Sequence, residues 1–189
     1  MNKPPFSYAL QRVLFDPLSY LHPQRLRLPS NLTACSTARA TVNDLLLLAL
    51  RLEVEVGPVG LTPLAKQWIY HWYRLPQTAY LIGCHYQRAE LAWKGGLFSL
   101  PTWASSFAAL NLSTQVAKSA EHVVSHHELM KTGYAHLQLW NKQLPKALAQ
   151  RLPLLFPAYV DTVTAQSAVD PLILTLALQH AQIYPNTPP

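Results

Sequence analysis

The chain has few cysteines, few glycines and few charged residues. Its 189 residues include two cysteines and six glycines, and charged residues make up 13% of the sequence, against about 25% in a typical globular protein. Half of the residues are hydrophobic. This composition excludes intrinsic disorder, and so few cysteines exclude a disulfide framework. We therefore expect a folded, cytosolic protein in which Cys84 is buried and reduced.

Long hydrophobic runs are also missing. The longest stretches, Leu45–Leu50 and Leu172–Leu178, are far short of the roughly 20 residues that a membrane-spanning helix needs. The first residues, Met1–Pro5, are not followed by the apolar core of a signal peptide. The sequence therefore predicts a soluble protein that is not inserted in a membrane.

Proline, by contrast, is abundant, with 16 residues. Most prolines separate apolar stretches of helical spacing, where proline ends or begins a helix. We expect an all-α fold: a compact single domain of about seven to nine helices over residues 1–184, with two lobes as an alternative, and a tail at 185–189. The alternation of Glu53–Val56 also allows one short β element. The prolines at the seams are Pro17, Pro23, Pro63, Pro76, Pro101, Pro145, Pro153, Pro157 and Pro171.

Local signals mark the starts of several helices. The pairs Thr62–Pro63 and Asp170–Pro171 each place a capping side chain before a proline at the first helical position. Ser36 or Thr37 is predicted to cap a further helix that reaches about residue 52. These signals predict where three of the helices begin.

Apolar residues at helical spacing predict the core. One long helix is expected over about 120–142, with an interruption at Gly133, and a cluster of aromatic residues surrounds Pro76. The predicted core residues are Leu45, Leu46, Trp68, Trp72, Tyr80, Cys84, Trp103, Leu137 and Trp140.

Candidates for catalysis or metal binding are few. His122 and His126 are four residues apart, a spacing that places both on one helix face and can chelate zinc, but the sequence offers no third ligand nearby. Cys84 and His85 are adjacent, so their side chains diverge on a helix and cannot form a nucleophile–base pair. There is no glycine-rich phosphate loop. We expect a protein that is not an enzyme and carries no cofactor.

Partner-binding candidates come from the basic residues. The net charge of +6 favours acidic partners. Arg25 and Arg27 lie on a short proline-bounded segment expected at the surface, and Arg74 and Gln77 lie among the aromatic residues around Pro76. The basic residues are dispersed and form no nucleic-acid-binding signature. A basic helical nucleic-acid-binding module remains the alternative function.

Several blocks along the chain carry a resemblance to a known family. They are Phe15–Leu26, Arg74–His85, Leu100–Ala104, Gly133–Ala135, Leu148–Pro157 and parts of Leu176–Thr187. In these blocks the chain resembles the OrgA/MxiK group, the SctK family of type III secretion proteins, and lies nearer to its OrgA branch. The stretches 30–66 and 111–130 share no clear motif with the family.

The resemblance implies a non-enzymatic adaptor. Members of this family bridge the cytoplasmic domain of an SctD-type inner-membrane ring protein to an SctQ-type pod protein of the sorting platform. The pods connect through an SctL-type stator to the secretion ATPase. The resemblance therefore implies a predominantly helical protein in the bacterial cytoplasm, at the face of the inner membrane when assembled, with no catalytic residues to assign.

Overall fold

The computed structural model describes residues 5–29, 34–56, 61–110, 123–165, 170–186 and 188. The predicted all-α fold is confirmed, because nine α-helices and no strand lie within these ranges. The helices are α1 Phe6–Phe15, α2 Ser36–Ala49, α3 Pro63–Tyr70, α4 Leu75–Tyr86, α5 Arg88–Ala92, α6 Thr102–Ala108, α7 His126–Asn141, α8 Lys146–Ala149 and α9 Pro171–Ile183. Short 3₁₀ segments join them at Pro17–Ser19, Trp72–Arg74, Trp93–Ser99, Leu152–Leu155 and Ala158–Val160.

Two of the predicted N-caps are confirmed. Thr62 Oγ1 accepts a hydrogen bond from the backbone N–H of Ala65 at 3.1 Å, and Asp170 Oδ1 accepts one from Leu172 at 2.7 Å. In both helices proline occupies the first helical position, where its missing N–H costs nothing. The predicted cap on α2 is wrong: Cys35 lies at the N-cap position and makes no side-chain capping bond.

Helix α7 begins later than the sequence predicts. Its start is fixed by a capping box in which Ser125 Oγ accepts from the N–H of Glu128 at 3.2 Å. The Glu128 carboxylate in turn accepts from the N–H of Ser125 at 2.7 Å. This reciprocal pair satisfies two N–H groups at the helix start, so residues 123–125 stay outside the helix.

The short β element at Glu53–Val56 does not form. The N–H of Glu53 donates to Gln150 Oε1 at 2.8 Å, and the carbonyl of Glu53 accepts from the guanidinium of Arg151 at 2.6 Å. Side chains thus satisfy both backbone groups of Glu53, which a neighbouring strand would otherwise pair, and residues 53–56 are irregular.

The chain divides into two compact units. Unit 1 comprises residues 1–73 and 141–161, and unit 2 comprises residues 74–140 and 162–189. Unit 1 contains α1, α2, α3 and α8. Unit 2 contains α4, α5, α6, α9 and nearly all of α7.

In unit 1 the core forms where α1 packs on α3 and α8. Trp68 and Trp72 are fully buried, and the ring of Tyr20 meets that of Trp72 edge-on at 5.8 Å between centroids. Edge-to-face contact of this kind stabilises aromatic pairs beyond the area they bury.

Helix α2 corrects a prediction about the core of unit 1. Leu45, predicted to be buried, is 59% exposed, and Leu46 is only partly buried. The helix instead docks through polar groups: Asn43 is buried, accepts from the N–H of Leu18 at 3.0 Å and donates to Asp16 Oδ1 at 2.9 Å. The most buried side chain of α2 is therefore polar, and Leu45 and Leu48 are left at the surface.

In unit 2, α4 is the central helix and packs on α6 and α9. Tyr80 and Cys84 on α4 and Leu137 on α7 are fully buried, whereas Trp103 and Trp140 are partly exposed. The His180 ring nitrogen Nε2 lies 2.7 Å from the carbonyl of Trp103, which links α9 to α6.

Glycines bring α4 and α7 into backbone contact. A Cβ placed on Gly133 would lie 1.7 Å from the carbonyl oxygen of Ala79, and one on Gly83 would lie 1.9 Å from that of Leu129. The two contacts run in opposite directions along the helices, so the pair is antiparallel. The predicted interruption of α7 at Gly133 is wrong, because the helix is continuous from His126 to Asn141. The missing Cβ of Gly133 instead allows the close approach to α4.

Candidate partner-binding surfaces

A groove of about 410 Å³ lies on unit 1, in the segment that follows α1. Leu26 is 38% exposed and Arg27 lies exposed beside it. The complete lining is Leu18, Leu21, Pro23, Leu26, Arg27 and Leu28. We call this surface the leucine groove; it is apolar apart from one cation.

Hydrogen bonds to the rest of unit 1 hold the leucine groove in shape. The N–H of Leu18 donates to Asn43 Oδ1 on α2 at 3.0 Å, and the N–H of His22 donates to the carbonyl of Leu154 at 2.8 Å. A groove anchored at several points loses little conformational freedom when it binds a partner.

Arg25, a predicted partner contact, has a structural role instead. Its Nε donates to the carbonyl of Phe156 at 2.6 Å, and its two terminal nitrogens donate to the carboxylate of Asp161 at 2.9 and 2.5 Å. Only 14% of the side chain is exposed. The charge of Arg25 is therefore matched within unit 1, and its bidentate pair fixes the segment that carries the groove.

Arg27 has no such partner. Within the part of the chain that the structure describes, its exposed side chain makes no ion pair with a carboxylate. Two carboxylates of unit 1 are engaged by other arginines, Asp16 by Arg39 and Asp161 by Arg25. The guanidinium of Arg27 stays available to a partner.

Of the other two predicted contacts, Gln77 is internal. It is 1% exposed, its Nε2 donates to the carbonyl of Tyr184 at 2.5 Å, and its Oε1 accepts from the N–H of Asn186 at 3.1 Å. The side chain thus anchors the segment after α9, not a partner. Arg74 is partly buried at the start of α4, and its role as a contact stays a prediction.

A second groove, of about 470 Å³, lies on unit 2 around the 3₁₀ segment after α5. Phe98 stands at its rim and is 95% exposed, while Leu100 forms part of its floor. Gly95 has φ of 73°, a left-handed conformation that glycine adopts freely, and it turns the chain there. The lining is Ala92, Gly95, Leu97, Phe98, Leu100, Thr102, Ser105 and Ala109. We call this surface the Phe98 groove.

The Phe98 groove is absent from the sequence predictions. The signal available was the apolar pair Leu97–Phe98 directly after two glycines, outside any helical pattern. That signal does not indicate which of the two side chains the fold leaves exposed.

The histidine and cysteine candidates take part in packing. His122 lies outside the described residues, and His126 places Nδ1 2.6 Å from the hydroxyl of Tyr80. Among the residues that the structure describes, no group of three metal-ligating side chains comes together. Burial raises the pKa of the Cys84 thiol to about 12, so the thiol is protonated at neutral pH and is a poor nucleophile.

No helix in the described part of the chain has the length and apolar character required to cross a membrane. The longest of those helices, α7, has 16 residues.

Comparison with known proteins defines the class to which this helical fold belongs. A family model described as bacterial type III secretion apparatus protein, OrgA/MxiK, matches residues 10–183. The chain belongs to this family, and the resemblance noted from its sequence blocks is confirmed.

Two relatives illustrate the family. The chain is 45% identical to the oxygen-regulated invasion protein OrgA of Salmonella typhimurium strain LT2 over 189 residues, which cover 100% of this chain and 94% of OrgA. It is 25% identical to the protein MxiK of Shigella flexneri over 150 residues, which cover 76% of this chain and 71% of MxiK. No solved structure matches the chain.

Proposed function

We propose that the chain is a non-enzymatic adaptor of a bacterial type III secretion injectisome, located in the cytoplasm at the face of the inner membrane. In this role it links the cytoplasmic domain of an SctD-type ring protein to an SctQ-type pod protein, and through the pod to the SctL-type stator and the ATPase. The observation that carries the proposal is membership of the type III secretion apparatus family over residues 10–183.

The exposed apolar groups of both units support an adaptor. Phe98 is 95% exposed on unit 2, and Leu48 and Leu45 are 75% and 59% exposed on unit 1. An apolar groove, or exposed apolar side chains that neighbour one another, can mark a site that another protein covers, whereas a single exposed apolar residue does not. An adaptor needs at least two such sites, and each unit offers at least one.

Several titratable side chains are buried or hydrogen-bonded within the fold, which supports a role without catalysis. The Cys84 thiol is buried with a raised pKa, and the guanidinium of Arg151 is bonded to backbone carbonyls. His126 is paired with the hydroxyl of Tyr80. These groups stabilise the fold, as expected of a protein whose function lies in its binding surfaces.

The proposal is tested by pairwise binding in solution. The purified chain is titrated with the SctQ-type pod protein and, separately, with the cytoplasmic domain of the SctD-type ring protein. We expect a complex with each, and Phe98→Ser should weaken one of them about tenfold or more, because aromatic anchors dominate interface energies. Its thermal stability should not change, since the side chain is almost fully exposed.

The matched control is Leu172→Ser, which alters another exposed apolar residue of unit 2, 54% exposed and outside the Phe98 groove. It should leave both complexes unchanged. If the wild-type chain bound neither protein, the adaptor function would be rejected.

A further inference from the structure

We infer that the leucine groove is the docking site for one segment of a partner protein: a segment that carries aliphatic side chains and a carboxylate. The inference rests on the proposed function, because it assigns one of the adaptor's contacts to this surface. It differs from that function in naming the site and the chemistry of its occupant.

The lining of the groove defines the aliphatic part of the occupant. Four leucines and one proline line a volume of about 410 Å³, so aliphatic side chains of a partner would find apolar contacts there. Leu26 remains 38% exposed in the free chain, so a partner that covers it removes apolar surface from water. A purely polar segment would gain nothing from this surface.

The charge of Arg27 defines the second feature of the occupant, its carboxylate. Arg27 is exposed and lines the groove, and in the described residues no carboxylate neutralises it. Arg25, two residues earlier, is held by Asp161 and is not available. A carboxylate on the partner would form a charge-assisted hydrogen bond with Arg27, whereas a basic segment would be repelled.

The frame of the groove makes it a preformed site. The ion pair of Arg25 with Asp161 and the bond from His22 to the carbonyl of Leu154 fix the segment from one side. The bond from Leu18 to Asn43 fixes it from the other. Binding then needs no ordering of this segment, and its affinity comes from the groove and Arg27 together.

The experiment compares Arg27→Glu, Arg27→Lys and Leu26→Ser in the full chain, with Lys142→Glu as the control. Lys142 is an exposed cation of the same unit, outside the groove, and its reversal changes the net charge equally. Each variant is titrated with the SctQ-type pod protein and with the SctD-type cytoplasmic domain, and its oligomeric state is measured by analytical ultracentrifugation.

The expected result is that Arg27→Glu and Leu26→Ser weaken the same one of the two complexes about tenfold. Arg27→Lys should retain most of the affinity, and Lys142→Glu should retain all of it. The complex lost by Arg27→Glu should also weaken with added salt in the wild type.

Three outcomes overturn the inference. If both complexes form and Arg27→Glu alters neither, the groove is not the docking site, while the adaptor function stands. If the wild type forms a dimer that Arg27→Glu dissociates, the occupant is a second copy of this chain. If the wild type binds neither partner, the proposed function fails and the inference that rests on it fails too.

Discussion

Arg151 connects three backbone segments of unit 1. It is fully buried, and its terminal nitrogens donate to the carbonyls of Leu14, Glu53 and Ala147 at 2.7, 2.6 and 2.6 Å. Burial lowers the pKa of its guanidinium. Three backbone segments distant in sequence thus share one cation, whose planar fork can reach them at the same time.

Replacing Arg151 should destabilise the protein strongly. Arg151→Met keeps the length of the side chain but leaves three carbonyls without their donor, which we expect to cost about 3–5 kcal/mol of unfolding free energy. Chemical denaturation measures this loss. Arg27→Met is the matched control, because Arg27 is exposed, and it should change stability by less than about 0.5 kcal/mol. An Arg151→Met protein as stable as the wild type would contradict the role we assign to this residue.

Arg25 and Arg27, on the segment that follows α1, show what the sequence alone can predict about single residues. Proline spacing correctly placed both on a connecting segment. Proline spacing could not distinguish the structural role of Arg25 from the exposed position of Arg27. The role of Arg25 depends on Asp161 and Phe156, which are more than 130 residues away in sequence. Contacts of that range are set by the tertiary fold.

At the scale of elements, local signals predicted the starts of two helices correctly, and tertiary contacts decided which helix faces are buried. Thr62 and Asp170 were readable as caps because the capping bond spans only two or three residues. The leucines of α2 predicted a buried face, yet Asn43 and Arg39 dock that helix through Asp16. The exposed leucine face could not be predicted, because its cause is a polar network between elements.

Helices α4 and α7 depend on glycine at their crossing. In an ordinary helix, replacing glycine by alanine is favourable by about 0.5–1 kcal/mol. Here Gly133→Ala would place Cβ 1.7 Å from the carbonyl oxygen of Ala79, so the helices must move apart. We expect the variant to be less stable by about 1–3 kcal/mol, measured by denaturant unfolding, and Gly83→Ala to behave alike.

The control for the glycine variants is Gln182→Ala, which changes an exposed position of α9 and should be neutral within about 0.5 kcal/mol. If Gly133→Ala proved more stable than the wild type, helix propensity would dominate, and the close approach of α4 and α7 would not govern the stability of unit 2.

At the scale of the whole molecule, we expect the buried ring of His85 to make stability depend on pH. His85 is 2% exposed, and burial lowers its pKa below the ordinary 6.5, with repulsion from Arg88 as the second cause. The fold therefore favours the neutral ring. The contribution of the neutral His85 ring to the free energy of unfolding is complete above about pH 6.5. It is lost as the pH falls from there towards the lower pKa that His85 has in the folded state.

We expect the free energy of unfolding to fall between pH 7 and pH 5, with a slope from this group of at most about 1.4 kcal/mol per pH unit. Denaturant titrations at several pH values measure it. His85→Phe removes the titrating group and should flatten the slope, whatever its effect on stability at neutral pH. An identical slope in both proteins would mean that other groups cause the acid sensitivity.

The family itself was readable from the sequence because its blocks extend over most of the chain, and the family model matches residues 10–183. The two grooves could not be predicted from the sequence, because each depends on which side chains the fold leaves exposed. The sequence spacing of Leu26 does not distinguish it from a core residue, and the glycines before Leu97–Phe98 do not indicate which residue of that pair is exposed. Their exposure becomes visible only once the neighbouring elements are in position.

The adaptor function is tested most directly by mixing the chain with both partners at once. Size-exclusion chromatography with light scattering should detect a single complex that contains the chain, the SctQ-type pod protein and the cytoplasmic domain of the SctD-type ring protein. The two partners alone should not form it. If the chain bound only one of them, or if each partner displaced the other, a linking role between ring and pod would be contradicted.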